Sequence, residues 1–552
     1  MTSKVIVGII VLILLLLLGL PLSQLVTRAL GPDGREVLLG FFTDPNHRAV
    51  LANSLMLGAI VGVTGTAVGF IVAFTQVRVK FRGKRALHLI ALIPIVSPPF
   101  AVATAAITLF GRNGYISSNL LGIQGDIYGL HGLVFVYTLS FFPVAYMNFK
   151  GMLENLDPSL EEAASGLGAG KLKILLTVTF PMLLPGFAAS FLVLFVEGIA
   201  DLSNPLVLGG DYAVLSTRAY FAMTGDFNIG AGAAYSLMLV LPALLVFLVQ
   251  RYWLNRKKVT AVTGKPSGRM QAISAPSVRI PSLILTAGIV AVIALVYLTV
   301  ILGGFQRVPG VNNELTLDHF EFVLTGIGSQ AMRDTITLAL IAAPVAGVLG
   351  MLIGWLVTRK LKRFAGLLDF AGMLGTAFPG TVLGIGYAIA FLVPTTVLGI
   401  EILPPLAGGA AAFGGAIAIV MVFTVRSLPP GQRTGIAALS QIDSSIDEAS
   451  TSLGAGSATT FRRVTLPLIR PAFATALTFA TARSMTSLSP IIFLTTPEIK
   501  ILTSQILAEV DNGRYGNAFA YCTVLVIIVL LLITLVNFLL RKVVHRGNQF
   551  DA

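Results

Sequence analysis

The stretch Glu162-Ala163-Ala164-Ser165-Gly166-Leu167-Gly168 recurs, with small changes, as Glu448-Ala449-Ser450-Thr451-Ser452-Leu453-Gly454. Each copy leads into a Val-Thr-apolar-Pro run, Val178-Thr179-Phe180-Pro181 and Val464-Thr465-Leu466-Pro467, and a second proline follows in both, Pro185 and Pro471. Every one of these positions is offset by 286 residues. One spacing rule is therefore written twice. Both copies lie between long apolar segments, where a polar, helix-capable loop has to sit outside the lipid. Two equivalent loops on one face give a membrane protein two equivalent docking handles.

The composition sets the class. The 552 residues are 55% hydrophobic and 11% charged, with a mean hydropathy of +0.87. A soluble protein cannot bury so much apolar surface, whereas a bilayer accepts it. The chain reads as an all-α polytopic membrane protein. Its formal charge of +13 would point to nucleic acid in a soluble chain, but here it follows from Lys and Arg gathering on the cytoplasmic side of spans. Membrane lipid, and no nucleic acid, is the expected partner. The single cysteine, Cys522, excludes an intramolecular disulfide and a Cys-rich metal site. The apolar run from Val5 to Leu18 lacks a small-x-small cleavage site and reads as a retained first span.

Apolar stretches long enough to cross lie near 5–27, 51–76, 87–110, 131–149, 186–208 and 232–253, then near 280–303, 332–357, 366–394, 407–425, 472–494 and 518–540. That makes about twelve spans of roughly 20 residues each. Basic clusters at Arg78–Arg85, Arg251–Lys258, Arg359–Arg363 and Arg541-Lys542 all fall on the side of the repeated loops. The positive-inside rule then places both termini and both loops in the cytoplasm. Residues 1–255 form one six-helix unit with its loop at 154–185. Residues 256–279 form a polar, basic linker, and 280–552 form the second unit with its loop at 440–471. At an offset of 281, Asn53-Ser54 aligns with Asp334-Thr335, Arg78 with Arg359, Arg82 with Arg363 and Pro98 with Pro379. The offset then grows to 286, a net insertion of five residues. Two units in equal orientation imply a pseudo-twofold axis along the membrane normal, with a pathway between them.

Asp157-Pro158 reads as a helix start, with Glu161 and Glu162 near the positive end of the dipole. Ala163 and Ala164 keep the surface small, and Gly168 turns the backbone. The second copy starts at Asp443-Ser444-Ser445 and has Glu448, Ala449, Ser450 and Gly454 in the same roles. Such a helix, with one protruding carboxylate and a small-residue patch, suits a groove with a basic rim. A plain interfacial connector is the simpler alternative for one copy, but less so for two at identical spacing.

These loops resemble the EAA signature of the permease subunits of bacterial ABC importers, specifically type I importers, and the resemblance covers nearly the whole chain as two fused permease units. Ser450 departs from it, a small-for-small change. The resemblance implies that each loop is a coupling helix docking on one of two ATPase subunits. Glu162, Ala163, Ala164, Gly168 and Pro181, with Glu448, Ala449, Ser450, Gly454 and Pro467, are the ATPase-coupling residues. It also implies a periplasmic or lipid-anchored substrate-binding protein and a bacterial inner-membrane location. No G-x4-G-K-[ST] phosphate cradle occurs in the chain. This chain is expected to be no enzyme and to hold no cofactor, with ATP and Mg on the partner ATPase.

Ionisable residues inside spans are functional candidates by default. Glu197 and Asp201 share one helix face. At the 286 offset Glu197 maps to Arg483, as a gate or a static ion pair across the pathway, and Asp201 maps to Ser487. His88 and Asp369 coincide at the 281 offset, where interfacial solvation is expected. After Asp201, Asn204-Pro205 and Gly209-Gly210 should break the helix and free carbonyls to line a cavity. This segment resembles ferric-iron import permeases, whose substrate favours carboxylate and phenolate oxygen. The metal-site residues stay open. Phosphonate, sugar phosphate, thiamine and polyamine permeases share much of the pattern. An ion-gradient-driven secondary transporter is the rival from another class, with Glu197, Asp201 and Arg483 as its relay.

Overall fold

A computed structural model of the chain describes residues 2–123, 125–156, 159–252, 273, 275–361, 363–397 and 400–548. Nearly all of it is helix, with two short antiparallel hairpins, Gln306–Val308 with Asn312–Leu315 and Thr395–Val397 with Ile400–Leu403. Among the described residues nine helices are long and apolar enough to cross a membrane, and three bent helix pairs bring the number to as many as twelve.

The bent pairs arise where the sequence pattern suggested straight spans. Lys84–Val96 meets Phe100–Ser118 at 102°, and Ala365–Ala377 meets the helix Gly380–Phe391 at 100°. Proline lacks an N–H and pushes the residue before it into extended backbone. Accordingly Ser97 has ψ 148° and Pro98 ψ 144° in the first bend, and Phe378 has ψ 131° and Pro379 ψ 146° in the second. Arg462–Leu468 and Arg470–Thr486 form the third pair, bent by 62°. The span expected at 186–208 also differs, because the helix runs over Leu175–Ala200. Its break falls at Asp201, ahead of Pro205 and the glycine pair, and Ser203–Leu208 is a separate short helix. Asp201 Oδ2 accepts from the Asn204 backbone N–H at 3.0 Å, so the carboxylate itself starts the new helix.

The two halves repeat element by element. Pro45–Arg78 corresponds to Gly326–Lys360 and Lys84–Val96 to Ala365–Ala377 at the 281 offset. Leu130–Glu154 corresponds to Ala416–Ser440 at 286. Hydrogen bonds repeat as well. Ser54 Oγ accepts from Leu215 N at 2.8 Å, and Thr335 Oγ1 from Leu502 N at 2.9 Å. Ser216 Oγ donates to Asp201 O at 2.8 Å, and Thr503 Oγ1 to Ser487 O at 3.0 Å. The expected linker lies mostly outside the described residues. At its end Ile273 donates to Arg78 O at 2.7 Å beside the buried Val79, and the next helix starts at Pro276.

The first span of each half packs on the opposite half. Leu20–Ala29 lies against Gly380–Phe391, and Tyr387 Oη donates to Leu17 O at 2.6 Å. Pro276–Gly303 lies against Pro99–Phe110, with Thr286 Oγ1 donating to Thr75 Oγ1 at 2.8 Å. Within each half, Pro45–Arg78 and Gly326–Trp355 cross the fourth span through matched glycines. A Cβ on Gly69 would stand 2.8 Å from Tyr146 N, and one on Gly350 would stand 2.7 Å from Gln432 N and 2.9 Å from Leu428 O. Backbone atoms cannot step aside as a side chain can. Gly69→Val and Gly350→Val should each cost about 1–3 kcal/mol or more through overpacking, read as a lower melting temperature of the detergent-solubilised protein, whereas Gly288→Val, where a Cβ meets open space, should leave it unchanged.

Candidate functional site

Each repeated loop forms a short helix followed by a tight turn. Ser159–Gly166 and Ser444–Ser452 are the helices. Residues Asp157 and Pro158, read as the first start signal, lie outside the described residues. In the second copy Asp443 Oδ1 accepts from Ser445 N at 2.9 Å, and this backbone hydrogen bond holds the Asp443 carboxyl below its ordinary range. The stability it adds is present above the unfolded carboxylate pKa and is lost as pH falls through the lowered one.

Gly168 and Gly454 both adopt φ +83°, the left-handed conformation open to glycine. Ala169 N then bonds Ala164 O at 3.0 Å, and Ala455 N bonds Ser450 O at 3.1 Å. This six-to-one closure is the helix stop made by a left-handed glycine. It projects the residue before each glycine outward. Leu167 and Leu453 are both 89% exposed, and Leu160 and Ile446 are also exposed. Sequence reasoning missed these apolar residues, although their identical 286 offset was legible. Glu162, Ala163, Glu448 and Ala449 are exposed beside them, with Ala164 and Ser450 half-buried; Ser450 Oγ lies 3.0 Å from Thr460 Oγ1. Pro181 and Pro467 open the helices that follow, where a missing N–H costs nothing.

Glu161, one residue before the predicted coupling carboxylate, ties the first loop to the membrane helices. It forms a close ion pair with Arg78, whose side chain is only 5% exposed, and accepts from Thr179 Oγ1 at 2.7 Å. In the second half Arg359, equivalent to Arg78, donates to Leu439 O at 3.1 Å and Ile442 O at 2.5 Å, just ahead of the loop helix.

Between the halves lies a cavity of about 780 Å³ lined by residues of both, among them Asn148, Ser190, Arg251, Asp369 and Arg433. Arg251 and Asp369 pair across the halves at 2.8 Å, and Gln432 Nε2 donates to Asp369 Oδ1 at 2.9 Å. Asp369 is therefore paired, not left to solvent as expected, and its counterpart His88 meets Tyr146 Oη at 2.6 Å. Deeper in the bundle Glu197 and Arg483 stand near Arg426, which sequence reasoning passed over. No ion pair joins Glu197 to Arg483 among the described residues. Arg426 Nη1 donates to Phe378 O at 3.2 Å, the carbonyl freed by the proline break, while Arg426 Nε and Arg483 Nε are buried without partners. Ser487 Oγ donates to Arg483 O at 2.6 Å. Asn204 is fully buried, with Nδ2 on Asp201 Oδ2 at 2.9 Å.

The model of the family described as "binding-protein-dependent transport system inner membrane component" matches residues 65–259 and 325–547, once in each half. The chain belongs to this family. It is 34% identical over 496 residues, 88% of this chain and 70% of the other, to the ferric transport system permease protein FbpB of Actinobacillus pleuropneumoniae. It is 23% identical over 529 residues, 93% and 95% of the two chains, to the Fe(3+)-transport system permease protein FbpB 2 of Haemophilus influenzae. The molybdenum transport system permease protein ModB of Escherichia coli is 26% identical over 220 residues, 39% of this chain but 95% of ModB. Nearly a whole shorter permease thus aligns with a segment about the length of one repeat unit. Membership makes this chain an inner membrane component of a binding-protein-dependent importer.

Removing the Glu161 carboxylate breaks its ion pair with the buried Arg78. Glu161→Ala should destabilise the first loop by up to about 3 kcal/mol, the low end for breaking a buried pair because Glu161 keeps some solvent. Faster amide exchange over Ser159–Gly166, with Ser444–Ser452 unchanged, is the expected reading.

Proposed function

We propose that this permease carries ferric iron inward, handed over by an external binding protein and driven by two copies of a separate ATPase docking on its two loop helices. The observation that carries the reading is the pair of matched, exposed surfaces at Leu160, Glu162 and Leu167 and at Ile446, Glu448 and Leu453. Each is a small apolar projection with an acidic residue at its side, built on a helix too short to stand without a partner. Both fit a groove with a basic rim, and both face the side that the charge pattern assigns to the cytoplasm. ATP and Mg then belong to the partner chains, and Pro181 and Pro467 start the helices that carry the docking motion inward.

Iron as substrate rests on the names of the relatives matched along most of the chain, and on oxygen-rich chemistry at Glu197 and Asp201. The chain's part is mechanical. The Arg78–Glu161 pair couples loop to span in one half, and Arg359 holds the chain entering the loop in the other. Movement of the docked ATPases is passed to helices that meet at the cavity between the halves. Glu197, Asp201, Asn204, Arg483 and Ser487 lie on the segments that such movement would separate.

The test is ⁵⁵Fe³⁺ uptake by cells carrying the permease with its ATPase and binding protein. Saturable uptake should fall to background in a Glu162→Ala/Glu448→Ala double variant that still inserts and still hydrolyses ATP. Full uptake in that variant removes the coupling role. An assembled, ATP-hydrolysing wild type without iron uptake removes iron.

A further inference from the structure

The break after Ala200 lies where the halves meet. Leu202 N donates to Ser489 Oγ at 3.4 Å, and Thr381 Oγ1 donates to Ala200 O at 3.4 Å, both from the second half. Beside this junction stands Tyr137, fully buried on the span Leu130–Glu154, with a hydroxyl whose one neighbouring polar group among the described residues is the Asp201 carboxylate. That hydroxyl lies next to the Asp201 carboxylate, with Glu197 within electrostatic reach. Asn204 Oδ1 is likewise buried and unpartnered, while its amide and backbone N–H groups hold Asp201 Oδ2. A buried phenol with no partner but this carboxylate, beside an orphaned amide oxygen, is unusual, because buried polar atoms normally find full partners. All three are hard oxygen donors, and a cation would satisfy them together.

The second half cannot build the same group. The positions equivalent to Tyr137, Asp201 and Asn204 are Phe423, Ser487 and Pro490. Its wall instead carries Arg426 and Arg483, each with a buried, unpartnered Nε. The first half therefore offers oxygen and negative charge here, and the second half offers positive charge near Glu197. A cation held against the first is pushed by the second.

We propose that Tyr137 Oη, Asp201 Oδ1 and Asn204 Oδ1 form a transient cradle for a hard trivalent cation at the junction of the halves, an inference that rests on the iron reading above. On binding, a water leaves the ferric ion's hydration shell and takes up the phenol's proton as the O–H bond breaks, and an iron–oxygen bond forms to the phenolate with no change in oxidation state. The facing guanidiniums keep the affinity low, as a transported ion must also leave. Among the described residues no group of three His, Cys, Asp or Glu side chains gathers, so the cradle is no tight chelator.

The test uses the permease assembled with its ATPase in nanodiscs, without the binding protein, titrated with ferric nitrilotriacetate. A phenolate-to-iron charge-transfer band in the visible should appear and saturate at one iron per complex. It should vanish in Tyr137→Phe, weaken in Asp201→Asn, and persist in Tyr387→Phe, a buried tyrosine bonded elsewhere. No band, or a band that survives Tyr137→Phe, overturns the cradle. Iron uptake measured in parallel separates the two readings. Equal uptake by wild type and Tyr137→Phe overturns the cradle and leaves iron as substrate, whereas no wild-type uptake removes both.

Discussion

Backbone polar groups at membrane depth must find partners inside the protein, and a helix broken there frees several at once. This chain breaks its helices at Pro98 and Pro379 and at Asp201 and Ser487, and the rest of the architecture answers those breaks. Asp201 caps the short helix that follows it. Ser489 and Thr381 reach across from the second half to satisfy Leu202 N and Ala200 O. Arg426 covers Phe378 O. The halves are thus joined by the groups that their own irregularities expose. A change in the relation of the halves would have to exchange these hydrogen bonds for others, which makes the junction a place where two arrangements can compete.

The opposite end of the same helices is held by charge. A guanidinium buried at the end of a long span is costly unless paired, and each half gives its arginine partners beside the loop. Arg78 takes the carboxylate of Glu161 on the loop helix itself, and Arg359 takes carbonyls at the end of the preceding span. The loops share their turn geometry to the degree, and in both halves an arginine at the end of a long span reaches the loop region.

Much of this was legible because duplication writes its evidence twice. The 281 and 286 offsets relate the corresponding helices, and Gly168 and Gly454 make the turn that their spacing required. The apolar windows failed where two neighbouring helices were both apolar. Hydropathy cannot see a bend of about a right angle, although Pro98 and Pro379 were in plain view as its cause. The helix breaks at Asp201, ahead of Pro205 and the glycine pair, because its carboxylate caps the next helix. Tyr137 and Arg426 were invisible for another reason. Each sits in an apolar run, and only packing shows what a phenol and a guanidinium there reach.

The central claim is that the two loop helices are twin docking points. Because Cys522 is buried and is the sole cysteine, cysteines placed singly at Leu167 and at Leu453 can report contact cleanly by cross-linking to the ATPase in the assembled complex. The account predicts that each position cross-links to an ATPase subunit, and that a Leu167→Cys/Leu453→Cys permease captures two copies at once. Capture by one loop alone, or by neither in a complex that hydrolyses ATP, would contradict it.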